Sequence, residues 1–167
     1  MNDHAIDLRI SALAVHFREI GETRMRDLPF YNARLSVEAC GFAPFDQTDL
    51  IGVLVTPWFM NLMLLPLQPA AADPQAIGQS RVVALPGGAR RFLYGGDLGI
   101  GGYWAHSLYS PMQKFASQGH ACSEARAALA QALAAEQAAP HVGSPGRRTF
   151  LGGWRAAGPA AALPGKA

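Results

Sequence analysis

Apolar residues recur along the first twenty positions at helical spacing. Ile6, Ile10, Leu13, Phe17 and Ile20 lie four, three, four and three residues apart, one stripe of a helix. Asn2 or Asp3 is placed to cap its start, Asp7 suits the positive end of the helix dipole, and Gly21 is placed to close it. Arg9, Arg18 and Glu19 fall off the stripe and are expected to face solvent. Beyond Pro29 the period becomes two. Leu35, Val37 and Ala39 alternate with polar residues, placing them on one face of a half-buried strand ending at Cys40. Ile51 to Thr56 is β-branched and nearly all apolar, the pattern of a central strand, and Phe59 to Leu65 reads as the next strand, stopped by Pro66. After an Ala/Pro loop over 68–78, Arg81–Leu85 and Arg90–Tyr94 flank Pro86-Gly87-Gly88-Ala89, a hairpin signature. Gly95 to Gly102 reads as a glycine-rich loop and Tyr103 to Leu108 as a last strand.

The second helix is predicted from its start. Ser110 reads as an N-cap, Pro111 as the first helical residue and Gln113 as the partner in a capping box. Met112, Phe115, Leu129 and Leu133 continue it, with a break near Gly119 and an end by Pro140. The chain is thus expected to be α+β, an antiparallel sheet of about five to six strands packed in two layers with an N-terminal and a C-terminal helix. Residues 1–139 form one domain on this reading, and 140–167, rich in Gly, Pro and Ala, a mobile tail.

Composition narrows the function classes. The 167 residues are half apolar and 16% charged, with a formal net charge of +2, too small an excess to argue for nucleic acid. Leu50 to Leu67 has the apolarity of a membrane span but contains Pro57 and Asn61 and lacks flanking Lys or Arg, so two buried strands explain it better. The first residues lack the basic-then-apolar order of a secretory signal. A cytoplasmic protein without a membrane span is expected.

Motifs for chemistry are sparse. The glycine-rich stretch fails the dinucleotide fingerprint, because Trp104 stands where its third glycine belongs, and lacks the Gly-Lys-Ser/Thr of a phosphate loop. No two of His4, His16, His106, His120 and His141 share a helix face at metal spacing. His106 and Ser107 are adjacent in a strand and should point to opposite faces. Cys40 and Cys122 are far apart in sequence and form no C-x-x-C, so two half-buried free thiols are the plain reading. Neither an enzyme, a metal nor a cofactor is expected.

One block is specific: Leu54-Val-Thr-Pro-Trp-Phe-Met-Asn-Leu-Met-Leu-Leu-Pro66. With Met25-Arg-Asp-Leu-Pro29 before it, Gly101 and Tyr103 later, and Ser107-Leu-Tyr-Ser-Pro-Met112 after, the chain resembles the HybE/HupJ family of nickel-iron hydrogenase assembly chaperones over roughly Ala5 to Ala135. Where members of that family often carry Cys before the Ser-Leu, this chain has His106. The resemblance implies a cytoplasmic chaperone without a cofactor of its own. Its client would be the hydrogenase small subunit, through the twin-arginine signal peptide, the iron-sulfur domain or both, with other hydrogenase accessory proteins as further candidates. The alternative is a factor that protects or handles the small-subunit iron-sulfur clusters under oxygen, with Cys40 and Cys122 as its thiols.

A binder of such a signal needs an apolar groove with a few carboxylates. Trp58, Phe59 and Met60 are candidates to line it, with Met25, Tyr103 and Met112; Asn61 is a candidate polar contact and Glu38 or Asp97 a candidate partner for Arg. Core packing is the competing reading for the apolar members. In the tail, Arg147-Arg148-Thr149-Phe150-Leu151 has the R-R-x-F-L core of a twin-arginine signal at the wrong end for export, so it is expected to mimic the client's signal.

Overall fold

Along Leu50 to Leu65 the sequence offers apolar side chains to both sides of a strand pair, and each side is covered by a helix. The computed structural model describes residues 3–135; Asn2, the residue-140 boundary and the Arg147–Leu151 motif lie outside them. Helix α1 (Asp3–Ile20) leads into a π turn (Gly21–Met25). Six strands follow, β1 (Glu38–Pro44), β2 (Asp49–Val55), β3 (Met60–Pro66), β4 (Ser80–Leu85), β5 (Gly88–Asp97) and β6 (Gly101–Tyr109), then helix α2 (Gln118–Leu133). The strands form one sheet in the order β1-β2-β3-β6-β5-β4, every pair antiparallel. The α+β sheet with a helix at each end of the chain is the expected class. No described helix is long and apolar enough to cross a membrane.

The layers differ from expectation. Leu50 and Leu54 of β2 and Met63 and Leu65 of β3 pack with α1, whereas Ile51, Val53, Val55, Met60, Leu62 and Leu64 pack with α2. Alternate residues of one strand point to opposite faces, so the order is helix, sheet, helix rather than two layers. A strand pair apolar on both sides requires two covers.

Several boundaries move for identifiable reasons. Gly21 does not close α1: Arg26 N donates to Gly21 O at 2.9 Å, and a Cβ on Gly21 would stand 3.1 Å from the Trp58 ring. Leu35 and Val37 do not share a face. Leu35 sits in a turn and packs on the α2 side, Val37 packs on the α1 side, and the strand begins only at Glu38. Met112 and Phe115 precede α2; both are fully buried, and their carbonyls accept from the Asn32 side chain at 3.0 and 2.9 Å. Ser117 caps α2 instead of Ser110, its hydroxyl accepting from His120 N at 3.2 Å, and Gly119 lies in the first turn.

Arg9 corrects the α1 pattern most. It is only 7% exposed, and its guanidinium donates from Nε to Pro66 O at 2.8 Å and from Nη2 to Ile100 O at 2.9 Å. Burial lowers its pKa. Those two carbonyls, at the end of β3 and in the β5–β6 turn, recover with one side chain the partners that strand ends lose. At the same turn His16 Nε2 lies 2.7 Å from Asp97. The glycine-rich stretch is mostly strand. Gly95 leaves room for the Tyr103 ring on one face and Gly102 for the Tyr94 ring on the other, where a Cβ would meet ring atoms at 3 Å or less.

Candidate functional site

Residues of the specific block form a turn before they form a surface. Buried Thr56 closes the β2–β3 connection: its hydroxyl oxygen accepts from Trp58 N at 3.2 Å and Phe59 N at 2.9 Å, and it donates to Phe59 O at 3.0 Å. The turn aims Trp58 and Phe59 at α1. Trp58, 7% exposed, stacks on Tyr31 at 6.1 Å between ring centroids, and Phe59 meets Phe17 edge-on at 5.6 Å. Tyr103 closes on Phe17 at 6.1 Å. Its hydroxyl pKa is raised, by burial first and by the nearby Asp97 charge second. Met25 is half-buried against the same cluster. Met60 and Met112 are fully buried on the opposite, α2 face, so they pack the core rather than line a surface.

The half-buried residues trace one strip on the α1 face. Asn61 pairs with Ser107, Met63 with Ala105, and Ala105 with Leu93. Parity carries Arg91 and Val82 to the same face. α1 covers the β1–β3 half, and beyond it Val82 and Leu93 are 65% and 51% exposed. Asn61 is half-buried, and no side-chain hydrogen bond joins its amide to another described residue. The strip passes Tyr103 and ends at Asp97, which is also half-buried and accepts from Gly99 N at 2.8 Å. Gly99 in turn lines an apolar groove of about 370 Å³ between α1 and the segment after β3, with Leu8, Ala12, Leu67 and Pro69.

The two candidate carboxylates are separated. Asp97 stands at the end of the strip. Glu38 stands on the α2 face, where the Gln118 amide donates to it at 2.9 Å; that bond and one from Cys122 lower its pKa. Sequence reasoning missed Val82, Leu93 and Arg91, because exposure at those positions depends on where α1 stops covering the sheet. His106 and Ser107 do point to opposite faces: His106 Nδ1 lies 2.8 Å from Arg91 O beside Phe92, and Ser107 lies exposed on the strip.

Comparison with known proteins gives this geometry a context. The family described as NiFe-hydrogenase assembly, chaperone, HybE matches residues 8–153. "Hydrogenase expression/formation protein HupJ" of Bradyrhizobium diazoefficiens is 45% identical over 122 residues, 72% of this chain and 69% of that protein. "Probable rubredoxin HupJ" of Rhodobacter capsulatus is 38% identical over 139 residues, 83% of this chain, which spans 50% of that relative's length. The solution structure of HybE from Escherichia coli superposes with a TM-score of 0.59 at 24% identity, covering 89% of this chain and 91% of the other, and so shares the fold. With the block at Leu54–Pro66 folded as the β2–β3 hairpin whose turn packs against α1, and the family match running through nearly the whole described domain, this chain belongs to the HybE/HupJ family of nickel-iron hydrogenase assembly chaperones.

Proposed function

We propose that the chain holds the iron-sulfur small-subunit precursor of a nickel-iron hydrogenase in the cytoplasm, contacting its twin-arginine signal before export, without catalysing a reaction. One observation carries this reading: the uncovered half of the α1 face, where Leu93 and Val82 are exposed on the same face as Asn61, two and three strands away across β6 and β5. An extended apolar segment laid there buries two large side chains and gives Asn61 a backbone partner. Asp97 at the end of the strip is the carboxylate placed to meet an Arg of that segment, by exchange for His16. Arg91, on the same face, favours an orientation that keeps the twin arginines at the Asp97 end.

Calorimetric titration of the cognate signal peptide into the full-length chain tests this, with a twin-lysine peptide as control. Tight binding by the twin-arginine peptide that weakens in Leu93→Ser and in Asn61→Ala supports the reading; equal binding by both variants removes the strip from it. The Arg147–Leu151 motif is a tethered competitor on this reading, since attachment to the same chain can supply effective concentrations of about a millimolar. A chain ending at Ala139 then binds the peptide more tightly, and unchanged affinity discards the competitor alone.

A second reading, that the protein shields iron-sulfur clusters from oxygen through its thiols, is favoured by the meeting of Cys40 and Cys122 on the α2 face. Replacing both by Ser discriminates: client binding survives on the first reading and oxygen-tolerant assembly fails on the second.

A further inference from the structure

Cys40 and Cys122, separated by most of the sheet in sequence, are brought together with Glu38. Glu38 and Cys40 are two residues apart on β1 and share its α2 face; Cys122 descends from the first turns of α2. The carboxylate oxygen and the two sulfur atoms all lie within 4.8 Å of one another, with Cys40 Sγ 4.0 Å from Glu38 Oε1. Both sulfurs are buried, at 2% and 4% residue exposure, whereas Glu38 is half-buried and opens the cluster to solvent. It is the only group of three such donors among the described residues.

The surroundings are ordered around these donors. Gln118, one turn before Cys122, donates from Nε2 to Glu38 Oε2 at 2.9 Å and to Cys122 Sγ at 3.4 Å. Its own Oε1 accepts from Ser36 N at 2.9 Å, which fixes the amide. Arg126, one turn after Cys122, lies 3.7 Å from Glu38 Oε1. Gln118, Cys122 and Arg126 therefore form one stripe of α2 laid over Glu38 and Cys40. Orientation of ligands by such fixed neighbours is the usual support of a metal centre.

We propose that Glu38, Cys40 and Cys122 bind one zinc ion, with water as the fourth ligand on the Glu38 side. Two sulfurs and one carboxylate suit a borderline-soft ion of tetrahedral habit and not magnesium or calcium, which take oxygen. Bonds of about 2.3 Å to sulfur and about 2.1 Å to oxygen place tetrahedral donors about 3.5–3.8 Å apart, a contraction of at most about 1 Å from the present spacing. Charge closes as well: two thiolates and a carboxylate are balanced by a divalent cation and Arg126. Gln118 does not compete for the fourth position, because its oxygen is engaged by Ser36.

A disulfide is the rival use of the pair, and forming it removes two electrons and so needs an oxidant. A zinc ion binds by displacing both thiol protons to solvent, with no oxidant needed.

The test uses the full-length chain, stripped with a chelator under reducing conditions and titrated with cobalt(II) as the optical probe for zinc. One equivalent should give the sulfur-to-cobalt charge-transfer band and the visible bands of a tetrahedral ion, and zinc should displace it. Cys40→Ser and Cys122→Ser should each reduce the charge-transfer intensity by about half or more. Glu38→Gln, at a half-buried position that leaves the core intact, should keep the thiolate band and raise Kd at least tenfold. Circular dichroism of each variant separates loss of site from loss of fold. A wild-type chain without a thiolate band overturns the proposal. So does a band unaltered in either Ser variant, or recovery of a Cys40–Cys122 disulfide from protein purified without reductant and free of zinc.

Discussion

The two faces of the sheet are built to different standards. On the α2 face apolar contact runs the full width, from Cys40 and Val53 through Leu62 to Phe92 and Leu85, and α2 ends against the β4–β5 turn, where Gly87 N donates to Ala132 O at 2.9 Å. On the α1 face the helix covers only the β1–β3 half and is anchored partly by polar bonds, the Arg9 guanidinium and the His16–Asp97 pair. The α2 face is therefore closed across the sheet, and the α1 face leaves apolar strand surface exposed at Val82 and Leu93. On the function proposed above, this division lets the second face change occupancy without unfolding the domain.

Four changes test the contrast, beginning with the largest. Phe92→Ala removes a fully buried ring from the α2 side and should cost about 3–5 kcal/mol in urea unfolding, a large share of a small domain's stability. A cost near zero would mean that this face is not the main core. Arg9→Ala removes the polar anchor of α1, leaving the carbonyls of Pro66 and Ile100 without a donor. A loss of about 3 kcal/mol is expected, with faster hydrogen exchange in α1 than in α2. Equal acceleration in both helices would contradict separate anchoring.

Leu93→Ser combined with Val82→Ser should leave the unfolding midpoint within about 0.5 kcal/mol of the parent, because both residues are already exposed. Client affinity should fall about tenfold. Loss of stability without loss of affinity would reverse the roles assigned to the two faces. The smallest effect is at Asp46 in the β1–β2 turn. The backbone N–H groups of Thr48 and Asp49, with the Thr48 hydroxyl, hold its carboxyl below the usual carboxylate range. A carboxyl lowered by folding contributes its stability above the unfolded value, near pH 4, and loses it as pH falls through the folded value. Asp46→Asn should flatten the acid limb of a melting-temperature profile slightly and leave neutral pH nearly unchanged, far from both the core and the strip.

Much of this was readable in advance where a local rule applied. The stripe Ile6–Ile20 and the runs at Ile51–Thr56 and Phe59–Leu65 predict α1, β2 and β3 to within a residue or two because periodicity is a property of neighbours. Ser110-Pro111 carries a good helix-start signature that yields to Ser117, since Asn32, far away in sequence, takes the carbonyls of Met112 and Phe115 and Met112 and Phe115 sink into the core. Arg9 likewise breaks its pattern for partners 57 and 91 residues distant. Of the candidate site, Phe59, Asn61, Tyr103 and Asp97 do gather on one face, but Met60, Met112 and Glu38 face the other. Strand parity alone separates Asn61 from Met60; which parity meets solvent is decided by the helices.

The sequence by itself determined the family, the antiparallel α+β class and the β2–β3 turn, because each resides in contiguous residues whose chemistry acts over a few bonds. Only the tertiary structure decided that the helices cover opposite faces, that half of one face stays open, and that Cys40 and Cys122 converge on Glu38. Those outcomes depend on strand order and on where α1 and α2 cross the sheet. These quantities are set by the summed burial of both faces and by single long-range bonds such as those of Arg9 and Asn32, which no spacing along the chain encodes.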